Sequence, residues 1–309
     1  FKQKTAYEIS LGLVGSEMCI RDRSGGIAAY KSIFLLRLFI KKGANVQVIM
    51  TPSAKDFVTP LTLSTLSNRP VLSEFFDKKN KNAVWNNHVD LGLWADLFII
   101  APATSNTLSK MASARADNLL LATYLSSKCP VYFAPAMDLD MHKNLANQEN
   151  IKKLEDFGKK HIPVNSGFLA SGLEGEGRMS EPQEIIDFIS QDIKKELKLY
   201  NKNVMITAGP TYESIDAVRF IGNFSSGKMG FALAKTASKL GANVTLITGP
   251  SSENLIDDNI NIINVVTADQ MFAEVKKHFS FSDISIMSAA VSDYKPCLLY
   301  TSPSPRDRG

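Results

Sequence analysis

One stretch of this chain occurs twice. Lys42-Gly43-Ala44-Asn45-Val46-Gln47-Val48-Ile49 is echoed by Leu240-Gly241-Ala242-Asn243-Val244-Thr245-Leu246-Ile247. Each copy follows a glycine-rich turn and a helical stretch: Ser24-Gly25-Gly26 then residues 27–42, and Ser226-Gly227-Lys228-Met229-Gly230 then residues 231–240. A later apolar run after an aspartate repeats too, Ala95-Asp96-Leu97-Phe98-Ile99-Ile100 against Ser282-Asp283-Ile284-Ser285-Ile286-Met287. Short apolar runs of this kind suit strands covered on both faces, which means a parallel sheet. The helices between them make right-handed crossovers. Gly43 and Gly241 fall where a helix ends, a position that calls for positive φ. The pattern predicts an α/β chain of two doubly wound parallel-sheet domains, flavodoxin-like or Rossmann-like. Each offers a ligand the crevice at the carboxyl ends of its strands.

Composition narrows the function. Apolar residues make up 44% and charged residues 21% of the 309 residues, so two large cores are available and disorder is not the default. No uninterrupted apolar run reaches the ~18 residues of a membrane span. The net charge of +4 is too small and dispersed to argue for nucleic acid. Cys19, Cys129 and Cys297 exclude a disulfide scaffold and fit a reducing cytosol, so a cytoplasmic protein is expected. No Cys/His cluster has zinc spacing, and no metal ligand set is expected.

The ends read unlike the rest. Residues 1–23 close on Arg21-Asp22-Arg23, and residues 297–309 carry two Ser-Pro steps before Arg306-Asp307-Arg308. Both look like translated adapter sequence and are set aside as non-native scars. The expected authentic protein is residues 24–296, cut at both ends. The strand that should precede Ser24 is then expected to be missing, unless Leu11 to Val14 imitates it. The amphipathic stretch 183–202, with Ile185, Ile186, Ile189, Ile193 and Leu197, ends a first domain of residues 24–196. Residues 197–203 are read as a linker, and residues 204–296 as a second, incomplete domain that opens on a strand at Val204.

In the first half, Ser24-Gly25-Gly26-Ile27 starts a helix whose unpaired N–H groups and dipole favour a phosphate. The run lacks G-x-G-x-x-G, which disfavours a nicotinamide dinucleotide. Three strand-end loops add hydroxyls and an amide: Thr51-Pro52-Ser53-Ala54, Ala101-Pro102-Ala103-Thr104-Ser105-Asn106-Thr107, and Ala134-Pro135-Ala136-Met137-Asp138. In the second half, Gly222 to Lys228 satisfies G-x-x-x-x-G-K, but Met229 stands where a P-loop needs Ser or Thr for magnesium. The run still reads as a phosphate-binding helix start with Lys228 as a point charge.

SGGIAAYK, TPSAKDFVTPLT, NHVDLGLWAD, APATSNTLSKMA, ADNLL, PAMDLDM and SGLEGEGRM closely resemble the FMN-dependent cysteine decarboxylases. With ITAGPT, VRFI.N.SSGKMG and AAVSDY behind them, the whole order resembles the bifunctional phosphopantothenoylcysteine decarboxylase/phosphopantothenate–cysteine ligases of coenzyme A synthesis. The resemblance covers nearly all of residues 24–296. It implies decarboxylation of 4′-phospho-N-pantothenoylcysteine to 4′-phosphopantetheine in the first domain, with FMN as cofactor. It implies CTP-dependent ligation of 4′-phosphopantothenate with cysteine, with Mg2+, in the second. The substrates are small molecules, and a homo-oligomer built on a trimeric decarboxylase core is implied; neither nucleic acid nor membrane is.

Residue by residue, the resemblance makes His88 the active-site histidine; an imidazole is suited to moving the substrate's thiol proton. It places Ser24, Gly25, Gly26, Ile27, Ser53, Phe57, Ala103, Thr104, Ser105, Asn106, Thr107 and Met137 around the flavin. Asp138 stands where many members have an Asn that holds the substrate carboxylate. Ser171 stands where many have a Cys in the flexible clamp before Gly177-Arg178-Met179. The expectation is a branch of the family that keeps its activity with this Asp/Ser pair. Around the nucleotide the resemblance places Gly209, Arg219, Asn223, Ser226, Gly227, Lys228, Ala289, Ala290 and Asp293. Asn223 contacts the acyl-cytidylate and Arg219 helps the second step. The family's lysine-rich flap lies beyond residue 296, so little or no ligase activity is expected of this chain. Another flavoprotein, such as a flavin prenyltransferase or a peptide-cysteine decarboxylase, and a non-catalytic regulatory relative remain alternatives.

Overall fold

The computed structural model describes residues 27–76, 85–169, 171–257 and 259–297, and the backbone of residues 17–21. The chain divides into two compact units between Ile193 and Lys194. No helix among the described residues is long and apolar enough to cross a membrane.

The first unit runs β1 (Glu17–Arg21), a 3-10 turn (Ile27–Tyr30), α1 (Lys31–Lys41), β2 (Asn45–Ile49) and a second 3-10 turn (Pro52–Asp56). Then come α2 (Pro60–Ser67), α3 (His88–Trp94), β3 (Leu97–Ala103), α4 (Ser105–Ala112), α5 (Leu119–Ser126) and β4 (Val131–Pro135). It closes with α6 (Leu139–Lys143), α7 (Leu145–Asp156), β5 (Lys160–His161), the hairpin of β6 (Asn165–Phe168) and β7 (Glu174–Arg178), and α8 (Pro182–Lys195). Five parallel strands lie in the order β2-β1-β3-β4-β5, the flavodoxin-like order. Glu17–Arg21 fills the position before the first helix, pairing with β2 from Glu17 opposite Asn45 and with β3 from Met18 opposite Leu97. Leu11 to Val14 and Ser24 to Gly26 lie outside the described residues, as do residues 1–16 and 298–309 of the two terminal stretches.

The apolar pattern explains the layers. All seven residues of β3 are buried, because helices cover both faces of the sheet. On one face α1 contributes Leu35, Leu36 and Phe39, and α8 contributes Ile185, Ile186 and Ile189. Burying each such side chain stabilises the fold by about 1.5–3 kcal/mol. The expected helix over 27–42 begins as a 3-10 turn, and the one over 183–202 stops at Lys195.

The second unit contains β8 (Asn203–Ala208), the hairpin of β9 (Tyr212–Ser214) and β10 (Phe220–Gly222), α9 (Lys228–Lys239), β11 (Asn243–Thr248), β12 (Ile260–Asn264), α10 (Ala268–Phe279) and β13 (Ile284–Met287). Its parallel sheet runs β12-β11-β8-β13, which is 3-2-1-4 in its own strands, the Rossmann-like half order. Gly241 takes φ +94 after α9, as Gly43 takes φ +80 after α1. The Leu199 amide donates to the Leu240 carbonyl at 2.9 Å, so the segment read as a linker is fastened to this unit.

Two expected outcomes follow from packing and burial. A Cβ on Gly249 would sit 1.6 Å from the Pro210 carbonyl oxygen. Gly249→Ala should therefore destabilise the second unit by about 1–3 kcal/mol or more, seen in calorimetry as a lower transition for that unit alone. In the first unit the His161 ring stacks on Phe133 at 5.2 Å, with Nδ1 3.1 Å from Glu155 Oε1. Burial pushes the His161 pKa down; Glu155 opposes the push and His142 adds to it. The folded state binds this proton less readily than the unfolded chain. Its contribution to stability is present above the unfolded value of about 6.5 and is lost as pH falls below it. Melting temperatures taken from about pH 7.5 to about 5.5 should fall for the wild type, and fall less for His161→Phe.

Candidate active site

Strand β4 ends in the loop Ala136-Met137-Asp138, and Asp138 caps α6 by accepting the Leu139 amide on Oδ1 at 2.9 Å. The hairpin β6–β7 folds over this loop. Ser171 donates its hydroxyl to the same Asp138 oxygen at 2.8 Å, so the two residues singled out from the sequence are in direct contact. Gly177 allows the approach: its φ is +131, Met137 N donates to its carbonyl at 3.1 Å, and a Cβ there would lie 2.4 Å from the Met137 oxygen. Hairpin, loop and first 3-10 turn enclose a cavity of about 510 Å³ lined by Ile27, Met137, Asp138, Phe168, Ser171 and Met179, with Lys31 and Arg178 also in its wall.

These two cations share one carboxylate. Lys31 is 3% exposed, and its Nζ donates to the Met179 carbonyl at 2.7 Å and to Glu181 Oε1 at 3.0 Å. Arg178 donates to the same Glu181 oxygen at 2.8 Å. The Lys31 hydrogen bond, above all, holds the Glu181 carboxyl below its ordinary range; the charges of Lys31 and Arg178 act in the same direction.

A second crevice, of about 380 Å³, opens at the carboxyl ends of β2 and β3, where open parallel sheets bind ligands. Its wall holds Thr51, Ser53, Thr104, Asn106, Thr107, Lys110, Asp117 and Asn118, with Lys110 Nζ paired to Asp117 Oδ2 at 2.6 Å. Hydroxyls, amides and an ammonium suit phosphate, sugar hydroxyls and the polar edge of a ring, so this donor set fits a flavin mononucleotide. Not every expected neighbour faces this crevice. Ser105 turns its hydroxyl to Asn147 Oδ1 at 2.6 Å. Ala103 is buried in β3 and its carbonyl receives the Ala136 amide. Phe57 is exposed and lines neither cavity; Ile27 and Met137 line the clamp cavity instead.

His88 begins α3. The preceding Asn87 caps the helix by accepting the Val89 amide at 3.0 Å. The ring sits against Phe75 edge-on at 6.0 Å and Trp85 at 6.2 Å. Its Nδ1 is buried and has no hydrogen-bond partner among the described residues. Among the described residues that wall the two cavities, His88 is not one.

The second unit gathers its motifs at the strand ends. Gly209 (φ +72) and buried Gly227 (φ +78) lie so close that a Cβ on Gly227 would sit 3.2 Å from the Gly209 amide nitrogen. Lys228 follows, exposed, as the first residue of α9, and its amide donates to Ser226 Oγ at 3.4 Å. Asn223 Nδ2 donates to the Val291 carbonyl at 2.9 Å, and the Ala290 amide donates to the Gly209 carbonyl at 2.9 Å. The Ala289 amide donates to Thr207 Oγ1 at 3.2 Å, and Asp293 stands exposed beyond it. Arg219 donates from Nε to Asp216 Oδ2 at 2.7 Å. The Val218 and Arg219 amides, then the Arg219 side chain, hold the Asp216 carboxyl below its usual range.

Comparison with known proteins assigns a family to each unit. The Flavoprotein family model matches residues 20–194, and that described as DNA/pantothenate metabolism flavoprotein C-terminal domain matches residues 199–302. The coenzyme A biosynthesis bifunctional protein CoaBC of Vibrio vulnificus is 44% identical over 89% of this chain and 68% of its own length. The chain belongs to the CoaBC family. The Bacillus subtilis CoaBC is 43% identical, over 88% of this chain and 67% of that one. A cysteine/cysteine sulfinic acid decarboxylase from an unknown prokaryotic organism is 50% identical over 82% of this chain and 70% of its length. Among solved structures, a Cys-to-Ser mutant of PPC decarboxylase complexed with pantothenoylaminoethenethiol is 30% identical. It covers 57% of this chain and 98% of its own, with a TM-score of 0.50.

In this CoaBC family member, sequence reasoning passed over Lys31, Arg178, Lys110 and Asn118. The signal for Lys31 was present: a lysine one position after a tyrosine, on the face of α1 that also carries Leu35. Gly177→Ala should detach the hairpin from the Met137 loop. Limited proteolysis should then cut within residues 168–174 roughly tenfold faster than in the wild type.

Proposed function

We propose that the first unit of this CoaBC family member decarboxylates 4′-phospho-N-pantothenoylcysteine to 4′-phosphopantetheine with FMN, and that the second serves CTP-dependent ligation of 4′-phosphopantothenate with cysteine. The observation that carries the first part is the pair of cavities in one flavoprotein unit. One is a donor-lined crevice at the strand ends; the other is a clamp closed by the Ser171–Asp138 hydrogen bond. FMN, when bound, supplies the redox chemistry that makes loss of the carboxylate easy.

The residues of the chain do the rest. Thr51, Ser53, Thr104, Asn106, Thr107 and Asn118 satisfy the cofactor's polar groups, beside the Lys110–Asp117 ion pair. His88 moves the substrate's thiol proton, a role its unpartnered buried Nδ1 supports. Ser171 and Asp138 hold the cysteinyl end, and the hairpin closes over it to exclude water. By the resemblance to its family, we assign the working enzyme to a homo-oligomer with a trimeric core, in the cytoplasm. In the second unit, the close Gly209–Gly227 approach and Lys228 form the cradle for the CTP phosphates, and Mg2+ travels with them. The Met229 side chain has no oxygen, so that position would not hold the ion.

The purified full chain should show a flavin band near ~450 nm and release CO2 from 4′-phospho-N-pantothenoylcysteine. A colourless protein that cannot be reconstituted with FMN would sink the reading. His88→Asn should keep the band and lose at least about 100-fold in kcat. In the second unit, Lys228→Ala should weaken CTP binding by roughly tenfold in calorimetric titration.

A further inference from the structure

We propose that the pantothenoyl arm of the substrate leaves the clamp cavity along α1, and that Arg37 and Lys41 hold its phosphate. The inference rests on the reading of the first unit as a decarboxylase of a phosphorylated substrate. It adds where the phosphate goes and which residues select for it.

A groove of about 550 Å³ runs between α1 and the start of α8. Tyr30 and Lys31 stand in its wall and in the wall of the clamp cavity, so the two spaces abut at the start of α1. From there Phe34, Arg37, Leu38 and Lys41 follow at the spacing of one helix face, with Pro182 of α8 also in the wall. The charges are unbalanced. Glu181 is the one carboxylate in this wall, and Lys31 and Arg178 already share it. Arg37 and Lys41 are exposed, and neither has an acidic partner among the described residues. Like charges four residues apart on a helix repel, so the pair is costly to the bare protein. Phe34 is 57% exposed in the same groove and offers an apolar bed beside the two cations. The ligand that answers both features has an apolar stem and a doubly charged anionic end. A phosphate monoester on an aliphatic arm is such a ligand.

The lengths agree. Arg37 and Lys41 lie about 9 and about 15 Å along α1 from Lys31. Roughly ten bonds separate the cysteinyl nitrogen from phosphorus in 4′-phospho-N-pantothenoylcysteine, and they extend to about 12 Å. With the cysteinyl end in the clamp and its nitrogen at the shared wall, the phosphate falls between the two cations and the dimethyl carbon passes over Phe34. Guanidinium and ammonium both donate to phosphate oxygens. The phosphate is remote from the breaking bond, so the contact is made alike in the ground state and the transition state. Arg37 and Lys41 are therefore residues of substrate binding and specificity.

The test uses the full chain loaded with FMN and follows CO2 release from 4′-phospho-N-pantothenoylcysteine and from N-pantothenoylcysteine. The wild type should show a KM at least about tenfold lower for the phosphorylated form, and the difference should shrink at about 0.5 M salt. Replacing both cations, Arg37→Gln with Lys41→Gln, should bring the two KM values within about threefold of each other, with the loss in KM rather than kcat. Arg37→Lys should keep most of the preference. Without turnover, 4′-phosphopantetheine should bind the double variant at least about tenfold more weakly than the wild type in calorimetric titration. Phe34→Glu, which sets a negative charge beside the cations, should lower the preference in the same way, and it serves as the test if the double variant does not fold. Equal KM values for the two forms in the wild type, or a preference unchanged in the double variant or in Phe34→Glu, overturns this inference and leaves the decarboxylase reading standing. No CO2 from either substrate overturns both.

Discussion

Strand β3 is buried along its whole length, so its amides and carbonyls must be satisfied by the strands beside it. Because those neighbours run parallel, each connection has to cross over the sheet, and every strand delivers its carboxyl end to the same edge. That constraint brings Thr51, Thr104 and Met137 to one edge although long helices separate them in sequence. The same rule acts in the second unit, where β8, β11 and β13 bring Gly209, Gly249 and Ala290 together at one edge. The repeated sequence records the repeated constraint.

Much of the architecture was legible for this reason. Apolar runs bounded by glycine and polar loops marked the strands to within a residue or two, and Gly43 and Gly241 marked the ends of their helices through backbone conformation alone. What stayed hidden depends on contacts distant in sequence. No local pattern says that Ser105 spends its hydroxyl on Asn147 of α7 rather than on a ligand. Nothing around Ser171 says that it meets Asp138, since the bond exists only once the hairpin has folded back on the β4 loop. The strand at Glu17–Arg21 was missed because residues 1–23 were set aside as non-native; its place is set by pairing on both sides.

The clamp cavity also shows how a buried charge is made tolerable. A lysine removed from water costs several kcal/mol unless its donors and charge are met. Lys31 meets both requirements at once, through a backbone carbonyl and a carboxylate, and the carboxylate then serves Arg178 as well. Positive charge is thereby kept beside the cavity without an isolated cation in the core. Asp138, capped by its own helix and by Ser171, supplies the opposite sign.

The bond from Lys31 to the Met179 carbonyl joins residues 148 positions apart. Contacts this distant close late, since the intervening chain must be ordered first. On a ribosome the lysine emerges early, and its ammonium stays hydrated until the tail of the unit arrives. A nascent chain halted short of residue 179 therefore lacks both partners of this lysine, Met179 and Glu181.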